Sequence, residues 1–428
     1  MKYPGIAPTG PLPGSIDFPL QRCREPKEFR MICFGDTQTR NVEEIQFLAH
    51  DILEDVRGLD AAFGVTLGDN VFNDLNVFDP LAETMAGTGI PWRYVPGNHD
   101  HNHDAPDADA TDDSFVRAMG PAYYSFNQGR VHFIILDDIR QEIGREDYHG
   151  GLGERQLAFV KNDLAHVDRG QLVVLLMHIP VMGIDEAREL YALLKPFPHT
   201  FSISGHTHDQ SHVFIKSGGW PQETPHHHLI HATACGSWWG GNFDDNGIPS
   251  AQMSDGTPNG YSIITFNGVK YDVEFRVARR PAEYQMNVWV PEEIPAAETG
   301  KADVIVNVFA GSEKSVVEMS VDGVDGWEPM ERFHGKDPYY VRAAGRQAAF
   351  IALTAELKGE KEPGKSFINE MRAKFKPVLR GLPEPSDSTH LWKAALPAGL
   401  KPGAHSLTVR EKDMFGRTHT ATRIFVVK

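Results

Sequence analysis

Two short stretches constrain this chain more than any other: Val65-Thr-Leu-Gly-Asp-Asn70 and Tyr94-Val-Pro-Gly-Asn-His-Asp100. Each is an apolar run that stops at a glycine and continues in polar, ligand-type side chains. A strand covered on both faces reads this way when its carboxyl end opens on a site. Gly68 and Gly97 permit a sharp turn and a close backbone approach to whatever Asp69 and Asn98 hold. Sites in open α/β sheets form at the carboxyl ends of strands, so the two loops should converge.

Three further runs repeat the pattern. Arg30-Met-Ile-Cys-Phe-Gly-Asp36 ends on Asp36, with Gln38 two residues on; Gln171–Met177 ends on His178 and is stopped by Pro180; Thr200–Ser204 ends on Gly205-His-Thr-His208. Helical periodicity lies between them, over Asn41–Arg57 (Val42, Ile45, Leu48, Ile52 and Val56 on one face), Leu75–Ala86 and Glu154–Val167. Tyr123–Phe126 with Val131–Leu136, and Tyr261–Phe266 with Val269–Val277, read as hairpins, the second through a type I′ turn at Asn267-Gly268. This alternation predicts parallel strands joined by right-handed crossovers, an α/β fold.

The five strand ends deliver Asp36, Gln38, Asp69, Asn98, His178, His206 and His208, which are hard oxygen and imidazole donors without a thiolate. That set suits Mn, Fe, Zn or Mg rather than a structural cysteine site. Seven donors exceed one tetrahedral ion and match two ions sharing a carboxylate.

A chain of 428 residues predicts two domains. Residues 1–28, rich in proline, read as an extended arm; 29–280 carry all five blocks; 281–302 read as a linker; 303–428 hold short alternating strands of a β-sandwich-like domain, with helices inserted within 345–380. The net charge of −16 is uneven, with 22 Lys/Arg against 42 Asp/Glu in the first 300 residues and 20 against 16 thereafter. So acidic a first part repels phosphate backbones, and no nucleic-acid partner is expected. Cys23, Cys33 and Cys235 have no metal-like spacing and read as buried or semi-buried thiols. No apolar run reaches the roughly 18 residues of a membrane span. The N-terminus lacks the apolar core of a signal peptide, which fits both a cytoplasmic chain and a processed exported (periplasmic or secreted) one.

The ordered blocks Asp36-Thr-Gln38, Gly68-Asp-Asn70, Gly97-Asn-His-Asp100, His178 and Gly205-His-Thr-His208 resemble the calcineurin-like metallophosphoesterase superfamily over about 29–277. The resemblance implies a four-layer α/β/β/α sandwich, a smaller C-terminal mainly-β domain and a dinuclear metal centre. It assigns Asp36, Gln38, Asp69 and His208 to one metal, and Asp69 (bridging), Asn98, His178 and His206 to the other. His99 becomes a non-ligand acid, with Asp100 as its orienting carboxylate. The usual first block is Asp-x-His; Gln38 departs from it, as in a branch of the superfamily that also carries a C-terminal β module. The implied chemistry is phosphoester hydrolysis, in which a hydroxide held by both metals attacks phosphorus directly and His99 protonates the leaving oxygen or stabilises the transition state.

Monoesters are the first reading and diesters at the same centre the alternative. A non-catalytic metal-binding scaffold is the alternative of another class, disfavoured because all but one of the superfamily's histidines are present. Phosphoprotein phosphatases of the superfamily commonly carry arginine where Pro96 stands. Arg40 is the candidate phosphate contact, and Trp238 with Trp239 a candidate substrate-facing wall. Asp337-Pro-Tyr-Tyr340 is a second candidate wall; His101, His103 and His226-His-His228 read as loop, and His231 as core.

Overall fold

The computed structural model describes residues 26–428 except 143–146 and 377–378, together with 10, 11, 13–15 and 17. Most of the arm expected over 1–28, and Cys23 with it, lies outside the described residues.

Strands such as Leu172–Leu176 are buried at every position, which requires cover on both faces. Two sheets provide it. In the first the order is Lys270–Val277, Gly260–Asn267, Glu28–Phe34, Phe63–Leu67 and Trp92–Val95, the last three parallel. In the second the order is Ser211–Ile215, His226–Ile230, Thr200–Ser204, Leu172–Leu176, Val131–Ile135 and Tyr124–Gln128, parallel through its middle. Phe29, Met31, Val65 and Phe266 of the first meet Phe133, Val174, Phe201 and Leu229 of the second in a dry inner layer. Helices Val42–Leu48 and Phe78–Ala86 cover the outer face of the first sheet, and Gly153–Leu164 and Ala187–Leu194 that of the second. The result is the expected four-layer α/β/β/α sandwich.

Local departures have local causes. The helix expected over Asn41–Arg57 starts on the Asn41 cap, whose side chain accepts from the Glu44 amide, but widens to a π-turn at Ala49–Leu53. Ile45, Leu48, Ile52 and Val56 are buried, whereas Val42 in the first turn is exposed. Asn267 pairs with Lys270, so the hairpin turns one residue later than expected, at Gly268-Val269. Positive φ occurs at Gly268 alone, whereas a type I′ turn needs it at both central residues.

His226-His-His228 is a strand rather than a loop. Its rings are affordable in the interior because hydroxyls satisfy them. Thr200 and Ser202 bracket His226 at 2.8 and 2.7 Å, and Ser202 and Ser204 bracket His228 at 2.6 and 3.1 Å. On the opposite face His227 meets His212 at 2.9 Å and the Tyr271 hydroxyl at 2.7 Å. His231 is core as expected, bonded to the Ser262 hydroxyl at 2.8 Å.

The C-terminal part is mainly β. Met286–Trp289, Asp303–Val308, Ser388–Ala395 and Glu331–Gly335 form one sheet; Glu293–Ile294, Thr418–Val427, Gly403–Lys412, Val316–Val321 and Glu328–Pro329 form the other. Val306, Met319, Trp392 and Leu407 lie between them. Met286–Trp289 and Glu293–Ile294 show that the stretch read as a linker already contributes edge strands. Helices Pro338–Leu357 and Lys365–Phe375 are inserted between two neighbouring strands of the first sheet.

A buried polar chain ties the two parts: Asp255 Oδ2 to His390 Nε2 at 3.1 Å, His390 Nδ1 to Asn307 Oδ1 at 2.8 Å, and Asn307 Nδ2 donating to Asp337 Oδ2 at 3.0 Å. The insert adds a second tie, because Leu379–Arg380 pairs antiparallel with Gly241–Asn242.

Candidate metal centre

All five blocks meet at the carboxyl ends of the central strands. Asp69, His178 and His206 present donor atoms within 4.8 Å of one another, a group able to hold a metal ion. The other expected ligands extend this cluster. Asn98 Oδ1 is 3.1 Å from His178 Nε2, Asp36 Oδ2 is 3.3 Å from His208 Nε2, and Gln38 Nε2 donates to Asp69 Oδ2 at 3.1 Å.

Backbone conformation marks the same residues. Gln38, Asp69, His206 and His208 all have positive φ (+41°, +46°, +75° and +51°), a region that costs a side-chain-bearing residue about 1–2 kcal/mol. Such strain concentrates where function requires a fixed geometry. Close approach is needed as well: a Cβ on Gly97 would overlap the amide and carboxylate of Asp69.

Partners on the far side of the rings set which nitrogen faces the cluster. His178 Nδ1 donates to Leu67 O at 2.8 Å and His208 Nδ1 to Gly236 O at 2.6 Å, which leaves each Nε2 facing a carboxylate. Asp36 Oδ2 is buried without a well-formed hydrogen bond. Burial disfavours the imidazolium of His178, yet Asp69 and Asp36 outweigh it and lift the ring to about 10. Burial likewise pushes the Asp69 carboxyl up, but the His178 charge and hydrogen bond carry it well below the ordinary range. These donors fit divalent cations: buried carboxylates, amide oxygens and oriented imidazoles, one carboxylate oxygen among them unsatisfied.

His99 sits at the edge of the cluster, its Nε2 4.0 Å from Asp69 Oδ2. Its ring stacks on Phe72 at 4.3 Å, and its Nδ1 lies 2.6 Å from Asn73 Oδ1. Asp100 does not orient it. The Asn98–Asp100 turn sends that carboxylate the other way, where it accepts from the amides of Gly97, Asn70 and Val71 and from Asn70 Nδ2, at 2.9–3.0 Å. Asn73 and Phe72 belong to no expected block; positive φ at Asn73 (+62°) is a trait of asparagine in tight loops that the sequence alone does not reveal.

The remaining expectations divide. Arg40 and Trp238 face a cavity of about 580 Å³ beside His99. Trp238 stacks on His208 at 4.2 Å, and Arg40 lies 4.2 Å over the Phe72 ring while donating to Trp238 O. Trp239 is not a wall: it is fully buried against Phe47, with Nε1 donating to Thr37 O at 3.0 Å. Nor is Asp337-Pro-Tyr-Tyr340, where Asp337 caps the inserted helix and buried Tyr340 donates to Pro383 O. The cavity's second wall comes instead from Arg372, Lys376 and Leu382, farther along the same insert.

The family model for the C terminal of calcineurin-like phosphoesterase matches residues 228–375, running from the histidine strand into the second inserted helix. Over those residues the chain is similar to the C-terminal part of calcineurin-like phosphoesterases. Among solved structures it is similar to purple acid phosphatase PPD1 from yellow lupin (Lupinus luteus), at 16% identity over 58% of this chain and 51% of that one, with a TM-score of 0.41. A structure of PhoD shares 11% identity over 67% and 70%, TM-score 0.42. The phosphopantetheinyl hydrolase PptH from Mycobacterium tuberculosis shares 12% over 47% and 89%, TM-score 0.30. The chain spans about half the length of the lupin phosphatase. No curated protein matches it. No helix among the described residues is long and apolar enough to cross a membrane.

Proposed function

We propose that the protein is a phosphoester hydrolase using two divalent cations (Mn, Fe, Zn or Mg), with monoesters as its preferred substrates. The observation that carries this reading is the convergence of Asp69, His178 and His206, with Asp36, Asn98 and His208 in contact around them. Asp36, Gln38, Asp69 and His208 would hold one cation, and Asp69, Asn98, His178 and His206 the other. Turning over the Gln38 amide would present its oxygen instead of its nitrogen. When bound, the cations supply Lewis acidity, which neutralises phosphoryl charge and makes water more acidic.

The chain's own residues then do the rest. His99 is placed to give a proton to the departing oxygen or to stabilise charge developing there. Asn73 Oδ1 holds its Nδ1, and Phe72 fixes the ring plane. Arg40 brings a guanidinium to the cavity beside His99, which favours the dianion of a monoester over the single charge of a diester.

The test is a paired assay of p-nitrophenyl phosphate and bis-p-nitrophenyl phosphate with Mn, Fe, Zn and Mg, run alongside Asp69→Asn. Monoester turnover that tracks metal content and disappears in the variant is expected. A preparation inert with every cation would leave a metal-binding scaffold as the better account.

A further inference from the structure

Building on the phosphoester reading, we propose that Arg372 and Lys376 of the insert form an anion subsite for the leaving group, which selects substrates whose alcohol portion carries its own negative charge. The cavity of about 580 Å³ is of a size for a small molecule. None of the seven candidate ligands lines it; of the reaction groups proposed above, His99 does, along with Arg40. If His99 serves the departing oxygen, the space beyond it receives what departs.

Its charge is one-sided. Arg40, Arg372, Lys376 and Arg380 all reach the cavity and no carboxylate among the described residues lines it, although the chain carries a net charge of −16. Two of these cations are already matched. Arg380 pairs with Glu44 at 2.6 Å and Glu43 at 2.8 Å, and Arg40 shares Glu44 at 3.4 Å. Arg372 and Lys376 are exposed and have neither an ion pair nor a hydrogen bond among the described residues. A leaving group with a carboxylate or a phosphate would supply the missing partner. The face of Trp238 turned away from His208 suits an apolar or aromatic body between the two charges.

The wall is also held in place before any ligand arrives. Leu379–Arg380 pairs with Gly241–Asn242, Gln347 Oε1 accepts from the Leu382 amide at 2.9 Å, and Tyr340 donates to Pro383 O at 3.0 Å. A preset wall loses little freedom on binding, so two unmatched cations can be turned into selectivity.

The experiment compares kcat/KM for phenyl phosphate, 4-carboxyphenyl phosphate and 1,4-phenylene bisphosphate, in the metal-loaded wild type and in Arg372→Ala/Lys376→Ala. In each reaction water adds to phosphorus, the ester P–O bond breaks and the phenolic oxygen leaves with a proton. The wild type should prefer the two charged leaving groups. That preference should fall about tenfold in the double variant, mainly through KM, the size expected of two partly exposed ion pairs. The charge-keeping Arg372→Lys variant should retain it, which separates lost charge from lost structure. The carboxylate and bisphosphate arms show which anion is favoured. An unmoved preference overturns the subsite while leaving the hydrolase reading intact. Wild type inert toward all three substrates, with any cation, overturns the hydrolase reading and the subsite with it.

Discussion

Exchanging Asn73 for glycine tests which residue holds His99, the proposed acid. Glycine rather than alanine is the informative replacement, because φ at this position is +62° and alanine would add backbone strain. The variant removes the 2.6 Å partner of His99 Nδ1 and leaves the Phe72 stack in place. A hydrogen bond to a charged group contributes about 1.5–3 kcal/mol. With tenfold in rate per ~1.4 kcal/mol, kcat should fall roughly 10- to 100-fold while KM and metal content hold. Asp100→Asn is the counterpart. That carboxylate accepts four N–H bonds from the Asn70, Val71 and Gly97 region, and an amide would turn a donor toward donors. Each buried donor left unmatched costs about 1–3 kcal/mol, so this variant should unfold at lower temperature. Steady-state kinetics on p-nitrophenyl phosphate, elemental analysis and thermal melts read out the pair. Full kcat in Asn73→Gly would refute the reasoning, as would an Asp100→Asn enzyme that melts normally but has lost its turnover.

Three more outcomes are expected. Gly97→Ala puts a methyl group into the Asp69 amide and carboxylate and should strip metal, seen as lost metal content and at least a hundredfold loss of activity; Gly345→Ala, in a helix with open space around it, should instead add about 0.5–1 kcal/mol of stability by denaturant melts. Arg380→Met leaves the fully buried Glu44 carboxylate without its 2.6 Å partner and should cost about 3–5 kcal/mol in the same assay. Glu411 is raised from 4.5 to about 7, chiefly by burial. A raised carboxyl stabilises the fold below its unfolded value and loses that contribution as pH climbs through the folded one, so Glu411→Gln should match wild type near pH 4 and exceed it at pH 8 by up to about 3 kcal/mol.

What the sequence made legible was local. A strand and the donor that follows it lie within a few residues of one another, so the five strand ends could be read from the chain itself, whereas the layer order came with the resemblance those blocks carry. What it hid depends on partners brought from elsewhere. His99 and Asp100 are neighbours in the chain, yet a 3-10 turn parts their side chains, and the true partner Asn73 comes from the preceding loop. Trp238 and Trp239 look equivalent, but consecutive positive φ values turn one outward and bury the other. Three consecutive histidines read as loop because their hydroxyl partners, Thr200, Ser202 and Ser204, sit on a different strand. The cavity's second wall lies more than 300 residues beyond Arg40, and nothing in its own composition announces it.

The inserted helices enter and leave through Glu331–Gly335 and Ser388–Ala395, which are antiparallel neighbours with Gly335 opposite Ser388. Both ends of the excursion therefore emerge side by side, and its removal would leave an ordinary hairpin. Wired in this way, the insert is one continuous cassette, and every candidate ligand from Asp36 to His208 precedes it in the chain.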